Sequence, residues 1–100
     1  HYMIAFLGGD TIKCSTFALP GSQELSDAAL KALKGRKACL LANHGTITCG
    51  KNLDEAMFLT EEFEILCKQI TIAKINGKPQ LVEKKYMKKI IEAIKMYGKY

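Results

Sequence analysis

The sequence predicts a mixed α/β domain with a mainly antiparallel sheet, and three observations lead there. Short apolar or β-branched runs of strand length, 38–42 and 46–49 among them, are bounded by turn residues. Two longer stretches, within 53–70 and 87–94, repeat apolar residues at helical spacing. The order is strands, helix, strands, then two helices, which puts helices on the sheet rather than in a bundle. With 48% apolar and 25% charged residues in 100 positions, the composition is that of one globular domain and not of a disordered or low-complexity chain.

Residues 2–7 (Tyr-Met-Ile-Ala-Phe-Leu) read as a buried strand. Gly8-Gly9-Asp10 then makes a turn, because glycine admits positive φ freely. Residues 11–14 read as a second strand, and 17–21, containing Pro20, as a connection. A helix starts near Ser22, with Leu25, Ala28, Ala29 and Leu33 on one face and Gly35 as its stop. Residues 38–42 and 46–49 are two more strands, separated by Asn43-His44-Gly45. Asn52 is an N-cap with Glu55 three residues on, as a capping box requires. The helix that follows runs to about Ile72, with Leu53, Ala56, Met57, Phe63, Leu66, Cys67 and Ile70 inward. Asn76-Gly77-Lys78-Pro79 is a turn. A last helix over 82–96 turns Met87, Ile90, Ile91 and Ile94 inward, with Gly98 past its end.

The net charge of +5 is uneven: residues 74–100 carry +6 and the remainder −1. Lys84, Lys85, Lys88, Lys89 and Lys95 lie opposite an apolar stripe, without arginines or interleaved aromatics, so they read as a solvated helix face and not a nucleic-acid surface. No apolar run approaches the ~20 residues of a membrane span. Cys14, Cys39, Cys49 and Cys67 lack C-x-x-C spacing, which disfavours a zinc knuckle or a thioredoxin motif and implies free thiols in a reducing, cytoplasmic setting.

Few residues could do chemistry. There is no Ser-His-Asp set, Walker loop or dinucleotide fingerprint. His44, ending an apolar strand and followed by Gly45, is placed to point into a cleft as a metal ligand, although a histidine in such a position is, taken alone, more often a turn residue. Tyr2 and Tyr97 read, on their own, as a strand aromatic and a helix-end aromatic.

Several blocks taken together are more specific. His1-Tyr2-Met3-Ile4-Ala5, Gly8-Gly9, Cys14, Gly21 with Glu24-Leu25-Ser26, Ala29 through Lys34, Arg36-Lys37-Ala38, Leu40-Leu41-Ala42-Asn43-His44-Gly45, Asn52 through Ala56, and Lys95-Met96-Tyr97-Gly98 occur in that order. So arranged, the chain resembles the second half of a class II aldolase/adducin family domain. The opening His-Tyr-Met-Ile and the terminal Tyr-Gly are similar to the family's fuculose-phosphate branch.

The resemblance implies a class II aldolase-like three-layer α/β fold, its mainly antiparallel central sheet covered by helices. Residues 1–100 would be the C-terminal portion of a single domain. It implies Zn2+ as cofactor, with His44 as one metal ligand and the other donors upstream of this chain; His1 falls beside the matching tyrosine and is left out. It makes Tyr2 a proton donor to the aldehyde oxygen, acting from a neighbouring subunit, and Tyr97 a second tyrosine covering the site. A family phenylalanine of the aldehyde pocket falls on Pro20. The implied reaction is cleavage of a ketose 1-phosphate of the L-fuculose 1-phosphate type to dihydroxyacetone phosphate and L-lactaldehyde, and the reverse condensation. A cytoplasmic homotetramer is implied, acting on a phosphorylated sugar, without nucleic acid or membrane partners. The alternatives are a ribulose-phosphate 4-epimerase or methylthioribulose-phosphate dehydratase of the same family, or a non-catalytic adducin-type interaction domain. The 100 residues alone are expected to be inactive and to hold zinc poorly.

Overall fold

A computed structural model describes residues 1–96. Tyr97, expected at the site, and Gly98, expected beyond the last helix, lie outside the described residues. The elements after the opening segment are β1 (Cys14–Ser15), α1 (Gln23–Leu33), β2 (Ala38–Leu41), β3 (Gly45–Thr48), α2 (Leu53–Asn76) and α3 (Lys84–Met96). The sheet order is β1-β2-β3. β2 pairs antiparallel with β3, from Ala38 opposite Thr48 to Leu41 opposite Gly45, and parallel with the two residues of β1. The expected mixed α/β class holds, and the antiparallel pair is the longer of the two.

The layers follow from alternation along β2. Cys39 and Leu41 face α1 and pack with Ala29 and Ala32. Ala38 and Leu40 face the other way, into a cluster of Leu7, Leu59 and Phe63. The sheet is thus covered by α1 on one side and by α2 with the opening segment on the other. A hydroxyl pair ties β3 to α2: Thr48 Oγ1 lies 2.6 Å from Thr60 Oγ1, and both contact the Ala56 carbonyl oxygen.

The first expectation to fail is the strand over 2–7. Tyr2–Leu7 is a 3₁₀ helix. A six-residue apolar run fits either state, and context decides. The His1 side chain accepts from the Met3 N–H, and Gly8, at φ 100°, stops the helix. Ile4 and Leu7, three apart and hence eclipsed in a 3₁₀ helix, reach the same apolar cluster. β1, Cys14–Ser15, overlaps the strand expected over 11–14 only at Cys14 and extends one residue past it. At the start of that stretch the Thr11 carbonyl accepts from Arg36 Nε and not from a neighbouring strand.

α1 begins as expected, with Ser22 Oγ accepting from the Leu25 N–H at 3.1 Å. At α2, Asn52 Oδ1 accepts from the Glu55 N–H at 2.8 Å, as a capping box requires. The returning carboxylate, however, receives the Lys51 N–H and the Lys37 ammonium instead. The hydrogen bond from Lys37 lowers the Glu55 pKa. α2 runs on to Asn76, four residues past the expected end, and stops at Gly77.

The face expected for α2 is partly wrong. Leu53 is 88% exposed and Met57 58%, and Ile70 is exposed too, whereas Leu59 and Phe63 are buried. At 3.6 residues per turn, Leu53 and Met57 sit roughly a quarter to a third of a turn away from Phe63. α3 agrees better: Met87 is buried, Ile90, Ile91 and Ile94 are half-buried, and its lysines are exposed. The four cysteines carry free thiols. Burial raises the pKa of Cys39 and of Cys67, which keeps both thiols protonated. Among the described residues, no helix is long and apolar enough to cross a membrane.

At Gly8 the chain passes close to the backbone of residues 36 and 37. A Cβ there would lie 2.9 Å from the Lys37 nitrogen and 3.0 Å from Arg36 Cα, at a backbone angle that L-residues avoid. Gly8→Ala should therefore cost about 2–4 kcal/mol, strain and overpacking combined. Gly21→Ala has open space around it and should cost only about 1 kcal/mol of backbone strain. Thermal melts of the two full-length variants check this, and equal melting temperatures would contradict it.

Candidate functional site

The β2–β3 hairpin presents His44. Its tip is a four-residue turn, Leu41 to His44, closed by the His44 N–H donating to the Leu41 carbonyl at 3.0 Å. Asn43 occupies the third position with φ 57°. A turn with positive φ there wants glycine or asparagine, which accounts for Asn43. β2 packs on both faces, so the turn rises from the central strand of the sheet. His44 itself is exposed. Its imidazole makes no hydrogen bond or ion pair among the described residues, which leaves its ring nitrogens free to bind a metal ion.

Tyr2 lies in the 3₁₀ helix, 49% exposed. Its ring stands 4.6 Å from that of His1, tilted by 30°. His1 Nδ1 is used as the cap on Met3. The 3₁₀ helix packs on α2 and α3, whereas the His44 turn is at the far end of β2. No hydrogen bond, ion pair or ring contact joins Tyr2 to His44 among the described residues. Nor do three His, Cys, Asp or Glu side chains there cluster as a metal cage would need. His44 fits a metal as one donor of a set, since a catalytic zinc takes three protein ligands. Pro20 belongs to the connection before α1, next to Gly21 at φ 81°.

A groove of about 950 Å³ opens between the 3₁₀ helix, α2 and α3, with Phe6, Phe58 and Ile94 in its wall and Lys37, Lys51 and Lys95 among its lining. It contains neither His44 nor Tyr2. Sequence reasoning passed over Arg36, whose guanidinium makes three hydrogen bonds. The signal was there: it is the one arginine beside 14 lysines.

The three-layer α/β piece with a histidine on a hairpin tip has known counterparts. The model of the Class II Aldolase and Adducin N-terminal domain matches residues 1–71, and the chain belongs to that family. A 5-methylthioribulose-1-phosphate/5-deoxyribulose-1-phosphate aldolase of Rhodospirillum rubrum is 41% identical over 98 residues, 98% of this chain and 44% of that protein. The L-fuculose phosphate aldolase of Escherichia coli K12 is 39% identical over 99 residues, 98% of this chain and 46% of that protein. A solved L-fuculose 1-phosphate aldolase superposes with a TM-score of 0.91 at 38% identity, covering 95% of this chain and 44% of its own. The chain thus spans a little under half the length of these relatives.

Proposed function

We propose that these residues are the C-terminal portion of a single-domain class II aldolase that cleaves a ketose 1-phosphate to dihydroxyacetone phosphate and an aldehyde. One observation carries this reading: relatives near 40% identity, aligned over almost the whole chain, are ketose-phosphate aldolases by name. The substrate class we favour is L-fuculose 1-phosphate, with L-lactaldehyde as the second product. A 5-deoxy- or 5-methylthio-pentulose 1-phosphate is the second reading, favoured by the 41% identity to the R. rubrum enzyme.

In this reading His44 supplies one imidazole to a zinc ion whose other donors lie outside this chain. When bound, such a cation polarises the carbonyl and hydroxyl oxygens of the sugar as a Lewis acid. The hairpin fixes where the imidazole sits and costs little to organise, because the turn is already formed by backbone bonds. Tyr2 holds a proton on its phenol oxygen for the aldehyde oxygen, from across a subunit boundary. A phenol, with a pKa of about 10 in general, is a suitable partner for a far more basic alkoxide. Drawing acid and metal from different subunits puts them at opposite ends of the breaking bond and makes the active protein an oligomer, a homotetramer in our reading. Tyr97 is assigned a covering role at the same site. The setting we assign is the cytoplasm.

The test uses the full-length protein with quantified zinc and both ketose 1-phosphates, and dihydroxyacetone phosphate release as the readout. Cleavage that disappears with a chelator and returns with zinc is expected. A zinc-loaded protein that releases no dihydroxyacetone phosphate from either sugar, but epimerises or dehydrates a pentulose phosphate, moves it to a sister activity.

A further inference from the structure

Arg36 joins α1 to β2 and grips a segment 25 residues before it. Nε donates to the Thr11 carbonyl at 2.6 Å, and a terminal nitrogen donates to Thr11 Oγ1 at 2.8 Å. The other terminal nitrogen donates to the Gly35 carbonyl at 3.1 Å, and Asp10 stands 4.0 Å from the nitrogen that reaches Thr11 Oγ1. A planar fork meets two acceptors of one residue with two nitrogens held in one plane, whereas a lysine ammonium offers a single nitrogen. Next door, the Lys37 N–H donates to the Leu7 carbonyl at 2.7 Å. Gly9 lies so close that a Cβ would sit 2.8 Å from the guanidinium carbon. Residues 7–11 are thereby fastened to Arg36 and Lys37.

The fastened segment begins where the 3₁₀ helix ends, and that helix carries Tyr2 at its other end. Tyr2 is half exposed, and its one ring contact among the described residues is His1. Within this chain its location is therefore set by the helix that carries it. We propose that Arg36 is a positioning residue for Tyr2, fixing the foot of the 3₁₀ helix so that the phenol meets the substrate; this rests on the role proposed for Tyr2 above. From Leu7 to Tyr2 the helix is a lever of about 10 Å at ~2 Å per residue. A tilt of some 6° at its foot moves the far end by roughly 1 Å, enough to cost about a hundredfold in a reaction that depends on alignment.

The full-length enzyme tests this with Arg36→Lys, which keeps the charge and loses the fork. The expected result is a kcat lower by about 10- to 100-fold, with KM within about twofold and bound zinc unchanged. In a Tyr2→Phe background the same substitution should add less than about threefold, because the group it positions is already gone. Thr11→Val, which removes the hydroxyl acceptor and leaves the carbonyl, should repeat the pattern at smaller amplitude and serves if Arg36→Lys does not fold. An Arg36→Lys defect of the same factor in both backgrounds, or a native kcat, overturns the inference while leaving Tyr2 in place. A Tyr2→Phe enzyme with native kcat overturns the role of Tyr2 itself, and the inference with it.

Discussion

His44→Ala in the full-length protein should bring bound zinc down to a small fraction of one per subunit and cut kcat/KM at least about a thousandfold, with the melting temperature of the metal-free protein unchanged. The first part follows from ligand count: a zinc site of three protein donors that loses one keeps two, and affinity falls by more than the 10- to 100-fold typical of losing a mere supporting contact. The second follows from what the cation would supply in the proposed reaction, several kcal/mol of charge stabilisation, each 1.36 of which is tenfold in rate. The third follows from the structure. His44 is exposed, its imidazole bonds to nothing among the described residues, and the bond that closes the turn comes from its backbone N–H, which alanine retains. Metal analysis, kinetics and a melt on the chelated protein read the three parts separately. Full zinc occupancy in the variant would remove His44 from the ligand set, and a lower apo melting temperature would reassign it to the turn.

Much of this was legible in the sequence, and the reasons differ by element. α1 and the start of α2 could be read because their signals are local: a serine or asparagine cap, an apolar period, and a glycine or turn motif to stop them. β2 and β3 could be read because strand-length apolar runs flank a turn whose asparagine has a conformational job. The 3₁₀ helix could not, since Tyr2–Leu7 is apolar at nearly every position and carries no period. What decides its state is a cap from His1 and a stop at Gly8 pressed against Arg36 and Lys37, 28 residues on. The face of α2 failed for a related reason. Leu53, Met57, Phe58, Ile65, Ile72 and Ile75 make it apolar almost all round, so no stripe stands out, and the burial of Leu59 and Phe63 is set by where β2 and Leu7 lie. His44 was visible as a chemical possibility and needed the blocks around it to become more. Tyr2 had no local signal at all.

Tyr2→Phe should behave differently from His44→Ala, and the contrast separates the two roles. Removing the phenol oxygen leaves the ring, so the stacking on His1 and the 3₁₀ helix are retained, and both stability and zinc content should be those of the native protein. On the role proposed for Tyr2, what is lost is a general acid for the aldehyde oxygen, worth about 100- to 10,000-fold, so kcat for cleavage should fall by two to three orders of magnitude. Cleavage has two halves, however, and only one involves the aldehyde. Exchange of a proton on the hydroxyl-bearing carbon of dihydroxyacetone phosphate with solvent needs the metal and a base but no acid at an aldehyde oxygen. Tyr2→Phe should therefore keep that exchange while losing cleavage, and His44→Ala should lose both. Isotope uptake from heavy water into dihydroxyacetone phosphate, followed by mass spectrometry beside the cleavage assay, measures the two halves on one sample. If exchange and cleavage fall together in Tyr2→Phe, the phenol serves the dihydroxyacetone phosphate end and the polarity of the proposed site is reversed. If both persist, proton donation comes from elsewhere, and Tyr2 is a surface aromatic of the 3₁₀ helix.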